Sequence, residues 1–248
     1  MPDQHIFNFK TDTSKIRVPV TLNNPFSPDI PDIAAIAAEE FQDYIVAECE
    51  NWDYDFAIRN GKMFGILVVR TKENNYAFLG AVSGKLPGER GRLIPSVFND
   101  ATDDYFFTKG MTELTEIGTK IKQASNRSEV IALTEQRRLQ SKSIQQKLFE
   151  NYLFTSNAGE EKNILQIFAA SSHGNPPSAA GECAAPKLLQ YAKNHLLRPI
   201  AIAEFWWGNP LKGKERTHKL FYPACRDKCR PILEYMLGDR KLYDKANG

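Results

Sequence analysis

No stretch of this chain stays apolar for the roughly 20 residues a membrane-spanning helix requires, so no membrane partner is expected. Cysteine is scarce. Four thiols in 248 residues do not make a disulfide scaffold, which leaves reduced thiols and a cytoplasmic setting as the expectation. The opening Met1-Pro-Asp-Gln-His-Ile-Phe-Asn-Phe9 has no basic stretch followed by an apolar one, so no secretory signal is expected. Glycine-rich phosphate loops are missing too: neither Gly-x-x-x-x-Gly-Lys-Ser/Thr nor Gly-x-Gly-x-x-Gly occurs. The Gly-x-Ser-x-Gly elbow of the hydrolases is also absent.

With 42% apolar and 25% charged residues, the composition is that of an ordinary globular protein. A net charge of +2 hides an asymmetry. Residues 1–60 carry eleven acidic side chains against four basic, whereas Ala184 onward carries thirteen basic against six acidic. Such polarity suits an anionic partner such as RNA, and equally suits two ends that neutralise each other on folding.

A proline-punctuated start precedes a helix expected from Asp29 or Asp32 to Ala47, with Asp32 as its N-cap. Apolar runs at Lys62–Arg70 and Tyr76–Ser83, separated by polar Thr71–Asn75, predict a β-hairpin covered on both faces. Helices are predicted over about Asp103–Gln123 and Ser128–Phe154, then a loop at Ser156–Gly159 and a short strand at Asn163–Phe168. The chain closes with a helix from Ala184 to about Leu197, a strand over 199–207, a strand ending at Tyr222 and a helix from Cys225 to Leu237. The expected architecture is one α/β domain over 1–248, a three-layer sandwich with a mixed sheet and a helical insertion at about 103–154.

Chemistry concentrates in the last quarter. Cys183 stands before one helix, Cys225 and Cys229 before or within another, and helix N-termini lower thiol pKa. Three thiolates plus water, or plus His173 or His218, would make a zinc site. Three small buried thiols would equally be packing, the role expected of Cys49. Cys183 is also a candidate nucleophile with either histidine as base, and Glu204 is a candidate buried carboxylate partnered by an arginine or a backbone amide. Phosphate contacts are expected from Arg137, Arg138, Lys142 and Lys147 on the second inserted helix, and from Lys212, Lys214 and Arg216 in the loop after the 199–207 strand. Trp206, Trp207 and Tyr222 flank that loop and are candidates for stacking on bases.

The order of hairpin, helix opening on a cysteine, strand, then Pro-x-Cys helix resembles the zinc-dependent nucleobase deaminases. That resemblance implies Cys183, Cys225 and Cys229 as zinc ligands, and a general acid/base glutamate two residues after the first ligand. Ala185 occupies that position, and Glu182 precedes the ligand instead.

A broader resemblance covers most of the chain from about residue 30. Gly181-Glu-Cys-Ala-Ala-Pro-Lys-Leu-Leu-Gln-Tyr-Ala192, Pro199–Gly208 and Phe221-Tyr-Pro-Ala-Cys-Arg-Asp-Lys-Cys-Arg-Pro-Ile-Leu233 look like the N-terminal extension of certain bacterial RluA-type RNA pseudouridine synthases, with Gly61–Arg70, Ser83–Leu86 and the Gln136-Arg-Arg helix in agreement. No Arg-Leu-Asp catalytic signature occurs in the sequence, so the resemblance carries no catalytic residue across. It implies an accessory module for RNA modification that engages structured RNA, tRNA or rRNA, alone or beside a modifying enzyme. The alternatives are a zinc-dependent deaminase-like enzyme and a protein-interaction domain whose acidic N-terminal face meets a basic partner.

Overall fold

The computed structural model describes residues 3–48, 58–84, 86, 92–97, 100–210 and 215–238, with backbone alone for 100–105. In chain order its elements are β1 (Phe7–Asn8), α1 (Asp32–Ala47), β2 (Lys62–Arg70), β3 (Tyr76–Val82), α2 (Asp100–Gln123), α3 (Arg127–Glu150), β4 (Leu153–Thr155), β5 (Glu161–Asn163), α4 (Ile164–Ala169), α5 (Ala184–Asn194), β6 (Arg198–Trp207), β7 (Phe221–Tyr222) and α6 (Arg230–Leu237). The fold is mixed α and β.

Five strands form one sheet in the order β1-β3-β2-β6-β7. Every pairing in it is antiparallel, so the mixed sheet expected from the sequence is not observed. The hairpin expected from residues 62–83 is β2–β3, and helices cover both faces of the antiparallel sheet it belongs to, as its two-sided apolarity required. Phe64, Ile66 and Val68 of β2 point to one side with Phe78 and Phe205, against Ile33, Ala37, Phe41 and Ile45 of α1. The alternate residues Leu67 and Val69, with Leu79 and Ile202, face Leu188 and Ala192 of α5 and Leu233 of α6. Period-two alternation therefore splits one apolar run between two cores.

Glycine sets how closely the helices approach. A Cβ on Gly80 would lie 2.2 Å from the Phe41 ring, and one on Gly65 would lie 2.8 Å from the Ala184 Cβ. The start of α5 thus rests directly on β2.

Three local expectations change. Asp32 is the first residue of α1 rather than its cap; Pro31 holds the cap position with no side-chain bond. The segment expected as a strand at 163–168 is the helix α4, fixed by a reciprocal capping box between Asn163 and Gln166. Its apolar residues 164, 167 and 168 fit one turn of helix as well as a strand, and the cap decides between them. The last helix starts at Arg230, after a turn over 226–229, rather than at Cys225.

The inserted pair α2 and α3 has 24 residues in each helix, or about 36 Å of rise apiece. Asn126 caps α3 by accepting the Glu129 N–H at 2.9 Å. Only Ile144 and Phe149 of α3 are buried, both near its C-terminal end, where the chain enters β4.

Candidate functional site

Cys183 occupies the N-cap position of α5 with extended backbone (φ −71°, ψ 154°), and its side chain makes no capping bond. Across from it, β6 delivers Glu204, which pairs in register with Tyr222 of β7. From β7 the chain passes through Ala224, whose N–H donates to the Pro25 carbonyl at 2.8 Å, into the turn that carries Cys225 and Cys229. The sheet, the N-terminus of α5 and the approach to α6 thereby bring Cys183, Cys225, Cys229 and Glu204 into one region.

Cys229 is the hub. Its buried thiol hydrogen-bonds with both Cys183 and Cys225, and those bonds, burial and the nearby charges of Cys183 and Glu204 push its pKa well up. Cys225 moves the other way, to about 5. The Cys229 hydrogen bond is the main cause; partial burial opposes it, and the backbone N–H groups of Lys228, Asp227 and Cys229 assist. The Lys228 N–H lies 3.4 Å from the Cys225 sulfur. Cys225 is therefore the thiolate of the group and Cys229 the proton holder, as expected where backbone amides converge on one sulfur.

Glu204 is buried, and burial raises its pKa to about 7. The Ala185 N–H donates to Oε1 at 3.1 Å and lowers it, the Cys225 charge raises it, and Arg216 lowers it. A carboxylate from β6 thus reaches the start of α5, where sequence spacing had left Ala185 without an acid. The expectation that Glu204 would be partnered by a backbone amide is met.

Among the described residues no group of three or more His, Cys, Asp or Glu side chains is placed to hold a metal ion. Cys183, Cys225 and Cys229 adjoin one another as a hydrogen-bonded chain centred on Cys229. Neither expected nitrogen donor joins them. His218 accepts the Gly208 N–H at 2.9 Å and packs on Trp207, and His173 packs edge-on to Phe168. Cys49 lies outside the described residues.

The expected nucleic-acid residues separate into two groups. Arg137, Arg138, Lys142 and Lys147 are all exposed on α3, but they do not form a single stripe. Arg138 and Lys142, four residues apart, share a face; Arg138 pairs with Glu135 at 2.7 Å. Arg137 is the side chain next to Gly118 of α2, and the Lys147 ammonium lies 4.2 Å from the Phe106 ring centroid. Base stacking by the tryptophans is not supported. Trp206 is 5% exposed and Trp207 1%, because the segment around Gly61 and Asn209 covers the first and His218 packs against the second. Tyr222 is half-buried, with the Arg216 guanidinium 4.1 Å from its ring centroid. Lys212 and Lys214 lie outside the described residues.

One polar group escaped the reading of the sequence. Buried Lys187 reaches Glu182 Oε2 at 3.1 Å and the carbonyls of Val82 and Gly84 at 3.1 and 2.9 Å. Glu182 Oε1 accepts from Ser96 at 2.5 Å and from the Tyr152 hydroxyl. The signal was present: two opposite charges frame the apolar Cys-Ala-Ala-Pro at the start of a buried helix.

Comparison of this chain with protein-family models, with curated proteins and with solved structures gave no match in any of the three.

Proposed function

We propose that the chain is an RNA-engaging accessory module, non-catalytic by itself and related to the N-terminal region of RluA-type pseudouridine synthases. In this reading its body is a three-layer, deaminase-like scaffold and its helical hairpin is the arm that meets structured RNA. The order of elements supports the scaffold: hairpin β2–β3, helix α5 opening at Cys183, strand β6, then the Cys225–Cys229 turn into α6. The thiols and Glu204 then serve as the tie between α5, β6 and α6.

The observation that carries the proposal is the arm. Residues 127–143 of α3 include no buried side chain, and only Val130, Leu133 and Gln140 are partly covered. With even Ile131 and Leu139 left exposed, this stretch gains little from tertiary burial, so its length answers to something outside the body. The part of the arm away from the sheet exposes Lys120, Lys122, Arg127, Arg137, Arg138 and Lys142 against Glu116, Glu129 and Glu135. Clustered Lys and Arg of this kind bind phosphates without reading bases, which suits a positioning role beside a modifying enzyme.

The test is a salt titration of tRNA and rRNA-fragment binding by the protein and by an Arg138→Glu/Lys142→Glu double variant. The variant is expected to bind more weakly, with the log–log salt slope flatter by about 0.7–0.9 per lost phosphate contact. Unchanged affinity and slope would remove α3 from the interface. Absence of RNA binding by the unaltered protein would sink the proposal and favour a protein-interaction domain.

A further inference from the structure

For a tie between α5, β6 and α6 the three thiols could be alike, and they are not. Cys229 is fully buried, whereas Cys183 and Cys225 are partly exposed. A reagent from solvent therefore meets Cys183 or Cys225 first, and Cys229 only through one of them. The two outer sulfurs differ in turn. Cys183 holds the N-cap position of α5 without making a capping bond. Cys225 accepts the Lys228 N–H at 3.4 Å, and the Asp227 and Cys229 N–H groups and the Cys229 thiol converge on the same sulfur.

Donors gathered on a sulfur stabilise its negative charge, and the negative sulfur is the form that attacks an electrophile. Cys229 is then the protonated neighbour, in contact and shielded from solvent. The stretch 226–229 is a turn, and regular helix starts only at Arg230. A turn can bring two sulfurs to the roughly 2 Å of a disulfide with less distortion than a helix held by its own ladder of amides. Because Cys225 is only partly exposed, a compact neutral oxidant reaches it more readily than a bulky disulfide does.

We propose that Cys225 and Cys229 are a peroxide-reactive pair: Cys225 takes an oxygen from hydrogen peroxide or another small hydroperoxide, and Cys229 then closes a disulfide onto it. With hydrogen peroxide, the Cys225 sulfur attacks one oxygen and the O–O bond breaks. Cys225 becomes a sulfenic acid, and the other oxygen leaves as water after taking a proton from solvent. The Cys229 sulfur next displaces the hydroxyl from Cys225. The S–S bond forms, and the Cys229 proton departs with the hydroxyl as a second water. Each sulfur gives up one electron, and one peroxide is reduced to two waters. In the product Cys229 has no proton to share with Cys183 at the start of α5. The chemistry is independent of the RNA reading, since no residue of the arm takes part.

The probe is hydrogen peroxide added to the full chain at neutral pH, quenched with an alkylating agent and read by intact mass and peptide mapping. One disulfide, between Cys225 and Cys229, is expected, reversible by dithiothreitol, with Cys49 and Cys183 still alkylated. The folded protein should consume peroxide at least about tenfold faster than the urea-unfolded chain, because the amides converge on Cys225 only in the fold. Cys229→Ser keeps the first step and lacks the second, so a sulfenic acid should accumulate on Cys225 and be captured by dimedone. Should that variant fail to fold, the mapped disulfide and the rate ratio of the unaltered protein still decide. A disulfide that includes Cys49 or Cys183, dimedone on any other cysteine, or a folded protein no faster than the unfolded chain would each overturn the proposal.

Discussion

Glu204 is held where a carboxylate does not ordinarily go, buried in a central strand with its pKa at about 7. An unfolded glutamate titrates near 4.5, so the folded protein binds this proton more tightly than the unfolded chain. Stability from this group is fully present below about pH 4.5, declines as pH rises through 7, and is level above that. The decline amounts to about 3 kcal/mol. Glu204→Gln keeps an oxygen for the Ala185 N–H and removes the titration. Denaturant unfolding at about pH 5 and about pH 8 should show the variant gaining on the parent protein at the higher pH by most of that amount. Parallel curves would mean that Glu204 stays ionised in the fold. Cys225 and Cys229 show the same division of labour, since amides gathered on one sulfur leave the proton with the other.

At the scale of elements, the fit between α1 and the sheet turns on one missing side chain. The Phe41 ring occupies the space a Cβ on Gly80 would need, and Phe41 also packs edge-on to Phe64 and Phe205. Gly80→Ala should therefore destabilise by about 1–3 kcal/mol through overpacking, measured as a lower denaturant midpoint with an unchanged m-value. β2, β3 and β6 were legible in the sequence because their apolar runs were long and bounded by turn residues. The helix at 164–169 was not, because six residues hold too few periods to separate helix from strand, and a side-chain cap decides. Trp206 and Trp207 were misread for a different reason. Alternation says that adjacent residues face opposite ways, but whether either face meets solvent depends on the segment at Gly61, about 145 residues earlier in the chain, or on the following loop. Glu182 was seen only as a displaced acid, since its partners Ser96 and Tyr152 are brought to it by tertiary structure alone.

For the whole molecule, the body and the arm are unequal partners in stability. The arm's outer part buries little of the body, so replacing residues 118–138 with a short Gly/Ser linker should move the melting temperature by less than about 4 °C while weakening the RNA binding proposed above. A large drop would show that the outer arm supports the cores. The sheet has a further consequence at its margins. On one side β1 covers two residues of β3, and the Ile94 N–H then donates to the Gly80 carbonyl. On the other, β7 covers Glu204 and Phe205, and the Asn23 side-chain amide both donates to the Ile202 carbonyl and accepts its N–H, as a neighbouring strand would. Each margin is closed by short or irregular chain, so another copy finds no long ladder of open amides on which to polymerise, and at high concentration the sheet is poorly suited to seeding fibres.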